Sequence, residues 1–306
     1  MTSATSLVAD HHSIGPEILS VTAADGTRSE LLLLTAEPSP RQVLYWLPAM
    51  GVPAKHYLPL AMAMAGQGVA VALHEWRGIG SSDRRAGRHV DWGYRELLAA
   101  DLPAGVQAMR ERWPQATCTL GGHSLGGQLA CLYAALHPDA FSGIALVASG
   151  APYWRRFRRR YAIGAAYLLA PLLANTLGHL PGRRIGFGGN EARGVIADWS
   201  RSGRGGRGGR YAAKGLGVDL EQRLALLRQP VLALRLRDDW LGPAASLGWL
   251  LGKMPRALQQ TDVIMPDELE GRPADHFAWM KQPDAIASRM AGWIDARNAA
   301  FLVPGT

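Results

Sequence analysis

The seven residues Gly121-Gly122-His123-Ser124-Leu125-Gly126-Gly127 constrain this chain more than any other stretch. Cys118-Thr119-Leu120 ahead of them favours β structure. Gln128 to His137 behind them repeats apolar residues at helical spacing. A strand that becomes a helix through a single serine brings the positions two before and two after it face to face. Side chains there would collide, so Gly122 and Gly126 are required on steric grounds. The spacing predicts Ser124 in a strained backbone conformation, its Oγ clear of the main chain. It also predicts unpaired N–H groups of the helix N-terminus pointing to the same place. Gly-x-Ser-x-Gly between a strand and a helix presents a serine as a nucleophile; elsewhere it is an ordinary loop. An acid and a histidine further along the chain decide between the two.

The rest of the chain supplies a rhythm that suits such a turn. Ile14 to Val21 and Glu30 to Thr35 read as strands of an N-terminal hairpin around Ala24-Asp25-Gly26. Further strands are expected at Gln42–Leu47, Gly68–Trp76, Cys118–Leu120, Gly143–Ala148, Val231–Leu236 and Gln260–Met265. Helical patterns fall at Lys55–Gly66, Asp91–Trp113, Gln128–His137 and Pro283–Asn298. Strands alternating with helices predict an α/β fold, a mostly parallel sheet covered on both faces. At 306 residues and 48% hydrophobic, the chain fits one large domain or a domain carrying an insertion. Met1 to Ser13 is polar and lacks the basic start and apolar run of a signal peptide. Cys118 and Cys131 read as buried reduced thiols, so a cytoplasmic protein is expected. The excess of Arg over Lys fits a bacterial source.

Residues 151–215 break the rhythm. They hold 13 Lys or Arg against two acids, Glu191 and Asp198, in a chain whose overall net charge is +8. The segment opens with Trp154-Arg155-Arg156-Phe157-Arg158-Arg159-Arg160, continues as an apolar run from Tyr161 to Leu173, and ends in a Gly-Arg tract. The run is too short for a transmembrane helix, which needs about 20 apolar residues. A single Gly-Arg tract without interleaved aromatics gives no specific nucleic-acid site. Two readings are left: a partly helical cap with a solvated basic face, and contact with an anionic membrane surface. The expected division is a core at 1–150 and 216–306 with a cap or lid at 151–215.

Ser124 needs a base. Of nine histidines, His276 lies in Ala274-Asp275-His276-Phe277, after the last expected strand and before the closing helix. In a parallel sheet that is the ligand-facing edge. His123 is expected to pack, and His137 to sit at a helix end where positive charge suits the dipole. The acid comes from Asp238-Asp239, which follow the strand Val231–Leu236. Spacing to Pro243 favours Asp239, with Asp238 as the alternative. No His or Cys cluster has metal-ligand spacing, and no cofactor is implied.

In this order and spacing the motifs resemble the α/β-hydrolases, in the branch of serine aminopeptidases and monoglyceride-lipase-like serine hydrolases. Five places carry the likeness: Pro48-Ala49-Met50-Gly51, Arg77-Gly78-Ile79-Gly80-Ser81-Ser82, Gly122 to Gly127, Asp239 through Pro243, and His276-Phe277. The order Ser–Asp–His agrees with that family. The resemblance implies a serine hydrolase cleaving a carboxylic ester through an acyl-enzyme on Ser124. His276 is the general base and Asp239 its partner. The backbone N–H groups of Met50 and Leu125 form the oxyanion hole. One departure concerns that hole: Pro48-Ala49 stand where the family usually has His-Gly. Acyl transfer and aminopeptidase action use the same residues, the latter with a cap carboxylate, Glu191 or Asp198, for an ammonium. A non-catalytic membrane-docking module is the reading from outside enzymology.

Overall fold

The computed structural model describes residues 15–205 and 209–302, with side chains to residue 297. Ile14, the stretch 1–13 and the centre of the Gly-Arg tract, 206–208, lie outside the described residues. Ten strands form: β1 Glu17–Thr22, β2 Arg28–Leu34, β3 Gln42–Leu47, β4 Ala70–His74, β5 Thr117–His123, β6 Gly143–Val147, β7 His179–Pro181, β8 Asn190–Ala192, β9 Val231–Leu236 and β10 Gln259–Ile264. Helices are α1 Leu58–Ala65, α2 Tyr94–Glu96, α3 Leu102–Arg112, α4 Leu125–Leu136, α5 Arg160–Leu177, α6 Gly182–Ile185, α7 Arg193–Arg204, α8 Leu220–Leu226, α9 Ala244–Leu251 and α10 Asp284–Leu302.

Eight strands make one sheet in the order β1-β2-β4-β3-β5-β6-β9-β10. The β1–β2 hairpin is antiparallel and joins β4 antiparallel; every pairing from β4 to β10 is parallel. The central strands are apolar throughout because both faces are covered. Side chains alternate across the sheet. Val43, Tyr45 and Leu47 join one core with α3, α4 and α8, while Leu44 and Trp46 join the other with α1 and α10. Parallel pairing brings the C-terminal ends of β3, β5, β6, β9 and β10 to one edge. The registers Leu47↔Gly122, His123↔Val147 and Ile264↔Leu236 show it directly. The loops that follow those ends carry Ser124, Asp239 and His276.

Between β6 and β9 the chain leaves the sheet. The apolar run runs through Gly164 and Pro171 as one helix, α5, ending at Gly178 with φ +88° in the left-handed cap that glycine favours. The short β7–β8 hairpin and α8 are absent from the sequence expectations, since three-residue strands and a seven-residue helix carry too little periodicity to read. Gly203 lets α7 lie against the ring of Tyr167, and Ala174, Leu180 and Ile196 close a small core of their own. Among the described residues no helix is long and apolar enough to cross a membrane.

Arg77 ties three parts of the fold together. Its Nε donates to Asp101 Oδ2 at 2.8 Å and its Nη1 to Asp25 Oδ2 at 2.7 Å, linking the turn after β4, the start of α3 and the hairpin turn. Asp101 is buried, and burial raises its pKa against the pull of Arg77. Removing the guanidinium strands a buried carboxylate, a change that typically costs about 3–5 kcal/mol. Arg77→Ala is therefore expected to lower unfolding stability by about that amount in urea titrations. A loss below about 1 kcal/mol, the level of a surface pair, would contradict this role.

Candidate active site

Ser124 sits between β5 and α4 with φ 54° and ψ −118°, the strained conformation the glycine spacing predicts. A Cβ on Gly122 would lie 2.4 Å from the Gly126 carbonyl carbon. One on Gly126 would lie 2.1 Å from the Leu47 carbonyl oxygen and 2.5 Å from that of Pro48. The close approach seats the start of α4 against the end of β3. Ser124 N–H donates to the Val147 carbonyl at 3.2 Å, and its own carbonyl accepts from Ser149 Oγ at 2.8 Å. Ser149 is a supporting residue that sequence reasoning missed. Its only sequence signal is a small side chain just after a strand, in Ala148-Ser149-Gly150.

The loop after β3 is braced by side chains from elsewhere. Ala49 N–H donates to Tyr57 Oη at 2.9 Å, and Tyr57 Oη–H donates to His123 Nδ1 at 2.8 Å. Burial pushes the Tyr57 phenol up, so it keeps its proton. Burial and the neighbouring His276 push His123 well down, so it stays neutral. Trp76 Nε1 donates to the Pro48 carbonyl at 2.9 Å. With Ala49 engaged, the next amide along is that of Met50. Among the described residues neither Met50 N–H nor Leu125 N–H has a hydrogen-bond partner. The departure at Pro48-Ala49 is thus met by Tyr57, Trp76 and His123, and His123 packs as the sequence predicts. His137 caps the C-terminal end of α4 as expected, but partial burial lowers its pKa and so opposes the positive charge, and its ring lies tilted against Tyr133 with centroids 4.5 Å apart.

His276 and Asp239 meet. His276 Nδ1 lies 2.8 Å from Asp239 Oδ2, both side chains being shielded from solvent. Asp239 Oδ1 accepts from the N–H groups of Leu241 and Gly242 at 2.8 and 2.9 Å, which hold the carboxylate oriented. With Nδ1–H turned to the carboxylate, Nε2 keeps its lone pair. The imidazole stands 4.7 Å, centroid to centroid, from the ring of His123, the residue before Ser124. Among the described residues no hydrogen bond joins Ser124 Oγ to the imidazole; such bonds commonly tighten only with substrate in place. Asp238 points elsewhere. It pairs with Arg237 at 2.9 Å and accepts from Ala274 N–H at 3.2 Å, pinning the loop that carries His276.

The Arg77-Gly78-Ile79-Gly80 turn serves the edge from below. A Cβ on Gly80 would fall on the Glu75 carboxylate, and one on Gly78 on the Trp92 ring. Glu75 in turn accepts from Ala54 N–H at 3.1 Å and helps seat the chain leading into Tyr57.

The segment after α6 touches the same loop from above. A Cβ on Gly51 would lie 1.8 Å from Gly189 N, so backbone meets backbone there. Of the two acids in the excursion, Asp198 accepts from Tyr94 N–H at 3.0 Å and from Arg201 at 2.6 Å. Glu191 accepts from Gly189 N–H at 3.0 Å.

A model of the family described as serine aminopeptidase, S33, matches residues 38–198, more than half of the chain, and the chain belongs to that family. Solved structures share the whole architecture. An esterase from Pyrococcus furiosus is 15% identical, with 93% of this chain and 92% of that one covered and a TM-score of 0.59. A monoacylglycerol lipase from Paleococcus ferrophilus is 15% identical, with coverage of 88% and 100% and a TM-score of 0.59. An alpha/beta hydrolase from Penicillium sp. sh18 is 17% identical, with coverage of 93% and 99% and a TM-score of 0.60. At these identities the likeness is one of fold, and the fold is that of the α/β-hydrolases. No curated protein matches the sequence.

Glu191 gives a test of the contact between the excursion and the sheet edge. Burial raises its pKa from an ordinary 4.5 to about 7. The folded protein therefore holds this proton more tightly than the unfolded chain. The contribution is fully present below pH 4.5 and is lost as pH rises through about 7. Glu191→Gln keeps the acceptor for Gly189 N–H and removes the titration. Its stability relative to the wild type is expected to rise between pH 5 and pH 8, by on the order of 3 kcal/mol at most. Urea unfolding of both proteins at the two pH values measures it; a difference that does not change with pH would contradict the burial of this carboxylate.

Proposed function

We propose that this member of the serine aminopeptidase S33 family is a serine hydrolase of carboxylic esters. The observation that carries the reading is the 2.8 Å contact of His276 Nδ1 with Asp239 Oδ2, at the edge where the strained Ser124 presents its hydroxyl. Ser124 Oγ attacks the ester carbonyl while His276 Nε2 takes its proton, and Asp239 holds the tautomer and stabilises the imidazolium. The carbonyl oxygen gains negative charge and is met by the Met50 and Leu125 N–H groups, each such donor being worth on the order of a hundredfold in rate. Collapse breaks the bond to the alcohol, which leaves with the proton from His276, and an acyl-enzyme remains on Ser124. Water then repeats the sequence and frees the acid. No cofactor takes part.

Residues 151–215 act as the cap over this edge, supported by the contact of Gly189 with Gly51. The substrate is a small-molecule ester with an apolar part; the esterase and monoacylglycerol lipase among the structural neighbours are consistent with that chemistry. The aminopeptidase reading asks for a cap carboxylate free to meet an ammonium. Asp198 is committed to Tyr94 N–H and Arg201, and burial favours the neutral acid at Glu191. The buried free thiols of Cys118 and Cys131 suit a cytoplasmic protein, and the arginine-rich composition a bacterial one.

Turnover of p-nitrophenyl butyrate and of an aminoacyl p-nitroanilide tests the reading. Asp239→Asn is expected to lower kcat for the ester on the order of a thousandfold or more, because the imidazole loses its tautomer. Asp238→Asn is expected to stay within about tenfold of the wild type, as a loop-pinning residue would. Equal losses for the two variants, or a preference for the anilide, would overturn it.

A further inference from the structure

The helix α5 presents an outer face that a protein in water has no reason to keep. From Tyr161 to Leu177 it contains no charged residue. Only Tyr167 and Ala174 are buried against the molecule. Tyr161, Leu168, Leu169 and Leu172 are 71, 54, 62 and 62% exposed. At 100° per residue these four fall on one side of the helix, opposite Tyr167 and Ala174. Single exposed leucines are ordinary, but a contiguous apolar stripe marks a surface that something covers. A solvent-facing helix normally carries charge there.

The charges stand at the helix entrance instead. Arg155, Arg156, Arg158, Arg159 and Arg160 are all exposed, and among the described residues none pairs with a carboxylate. They crowd the N-terminal end of α5, where the helix dipole is already positive, so they destabilise the helix they precede. Arg155, Arg156 and Arg160 lie over the rings of Trp154, Trp249 and Tyr161, which leaves their charge in solvent, and Arg158 and Arg159 have no such contact among the described residues. The two acids of the excursion, Glu191 and Asp198, are buried and engaged elsewhere. Arg158 and Arg159, with Phe157, Ile163 and Trp240, line an open cavity of about 310 Å³. Trp240 is 62% exposed and directly follows Asp239. The basic cluster therefore stands at the start of the helix that carries the apolar stripe, and through the cavity it reaches Trp240, the neighbour of Asp239.

We propose that the outer face of α5, with the Arg155–Arg160 cluster, docks this protein on an anionic phospholipid bilayer. The leucines enter the acyl boundary, the guanidinium groups meet headgroup phosphates, and Tyr161 and Trp240 sit at the interface, where amphipathic rings belong. Both features are needed to choose this occupant. A second copy of the chain would cover the leucines but brings no exposed acid of the excursion to the arginines. A nucleic acid would meet the arginines and leave the leucines in water. Docking does not depend on the ester reading, and it would bring the opening beside Trp240 to a surface where apolar esters dissolve.

The test is co-sedimentation of the full chain with vesicles of phosphatidylcholine alone and of phosphatidylcholine containing phosphatidylserine, at low and high salt. The variants are Arg158→Glu/Arg159→Glu and Leu169→Glu/Leu172→Glu, with circular dichroism showing that each is folded. The wild type is expected in the pellet with phosphatidylserine vesicles at low salt, and about tenfold less so at high salt or with phosphatidylcholine alone. Each double variant is expected to lose about tenfold or more of the low-salt binding. Absence of the wild type from the anionic pellet would overturn the proposal. So would full binding by the folded Leu169→Glu/Leu172→Glu variant, or a dimer on size exclusion that this variant alone dissolves. Because sedimentation reads no turnover, a protein without esterase activity would still give a clear result.

Discussion

Everything at the functional edge depends on one backbone contact, the approach of Gly126 to the carbonyl groups of Leu47 and Pro48. A single methyl group there would overlap oxygen at 2.1 Å. Because nothing intervenes, the start of α4 lies directly beside the end of β3, and the N–H groups of Leu125 and Met50, unpartnered among the described residues, come from the start of α4 and the loop after β3. The same tightness forces Ser124 into φ 54°, a conformation costing on the order of 1–3 kcal/mol for a residue with a side chain. The end of β6 holds that strain: Val147 receives the Ser124 N–H and Ser149 grips its carbonyl.

The order of the site was legible in sequence because its constraints are local or topological. Gly122 and Gly126 speak for the turn by sterics alone. The pair Asp238-Asp239 and His276 follow from the rule that a parallel sheet gathers its loops at one edge, and only the spacing to Pro243 favours Asp239 of the two. The brace around Met50 was not legible. Tyr57 reads as one more apolar residue of a helix, and His123 as a neighbour of the nucleophile. Only the folded chain shows Ala49 N–H, Tyr57 Oη and His123 Nδ1 in one line of hydrogen bonds. That line explains why Pro48-Ala49 can stand where a His-Gly pair is usual: the loop's geometry is carried by a phenol from α1's entrance and an indole from β4's end. Ser149, β7, β8 and α8 escaped for the same reason, being defined by what they touch and not by any pattern of their own.

The buried charges follow a consistent division. Arg77 and Asp101 are paired below the edge, and Asp239 is met by His276 and two amides on it. Glu191 forms no ion pair among the described residues, and burial outweighs the distant pull of Arg183, so it holds a proton more tightly. The arginines of 155–160 are the reverse case, many exposed charges of one sign that meet no carboxylate among the described residues. Charges that the fold needs are thus buried and answered within it, while the basic cluster lies outside this pattern beside an apolar stripe.

The central claim is that Ser124 is an activated nucleophile, and intact-protein mass spectrometry after treatment with a fluorophosphonate reads it directly. The account predicts one phosphonyl adduct on the wild type, mapped to the peptide containing Ser124, and none on folded Ser124→Ala. A folded wild-type protein that takes up no label, or a Ser124→Ala variant labelled to the same extent, would contradict it.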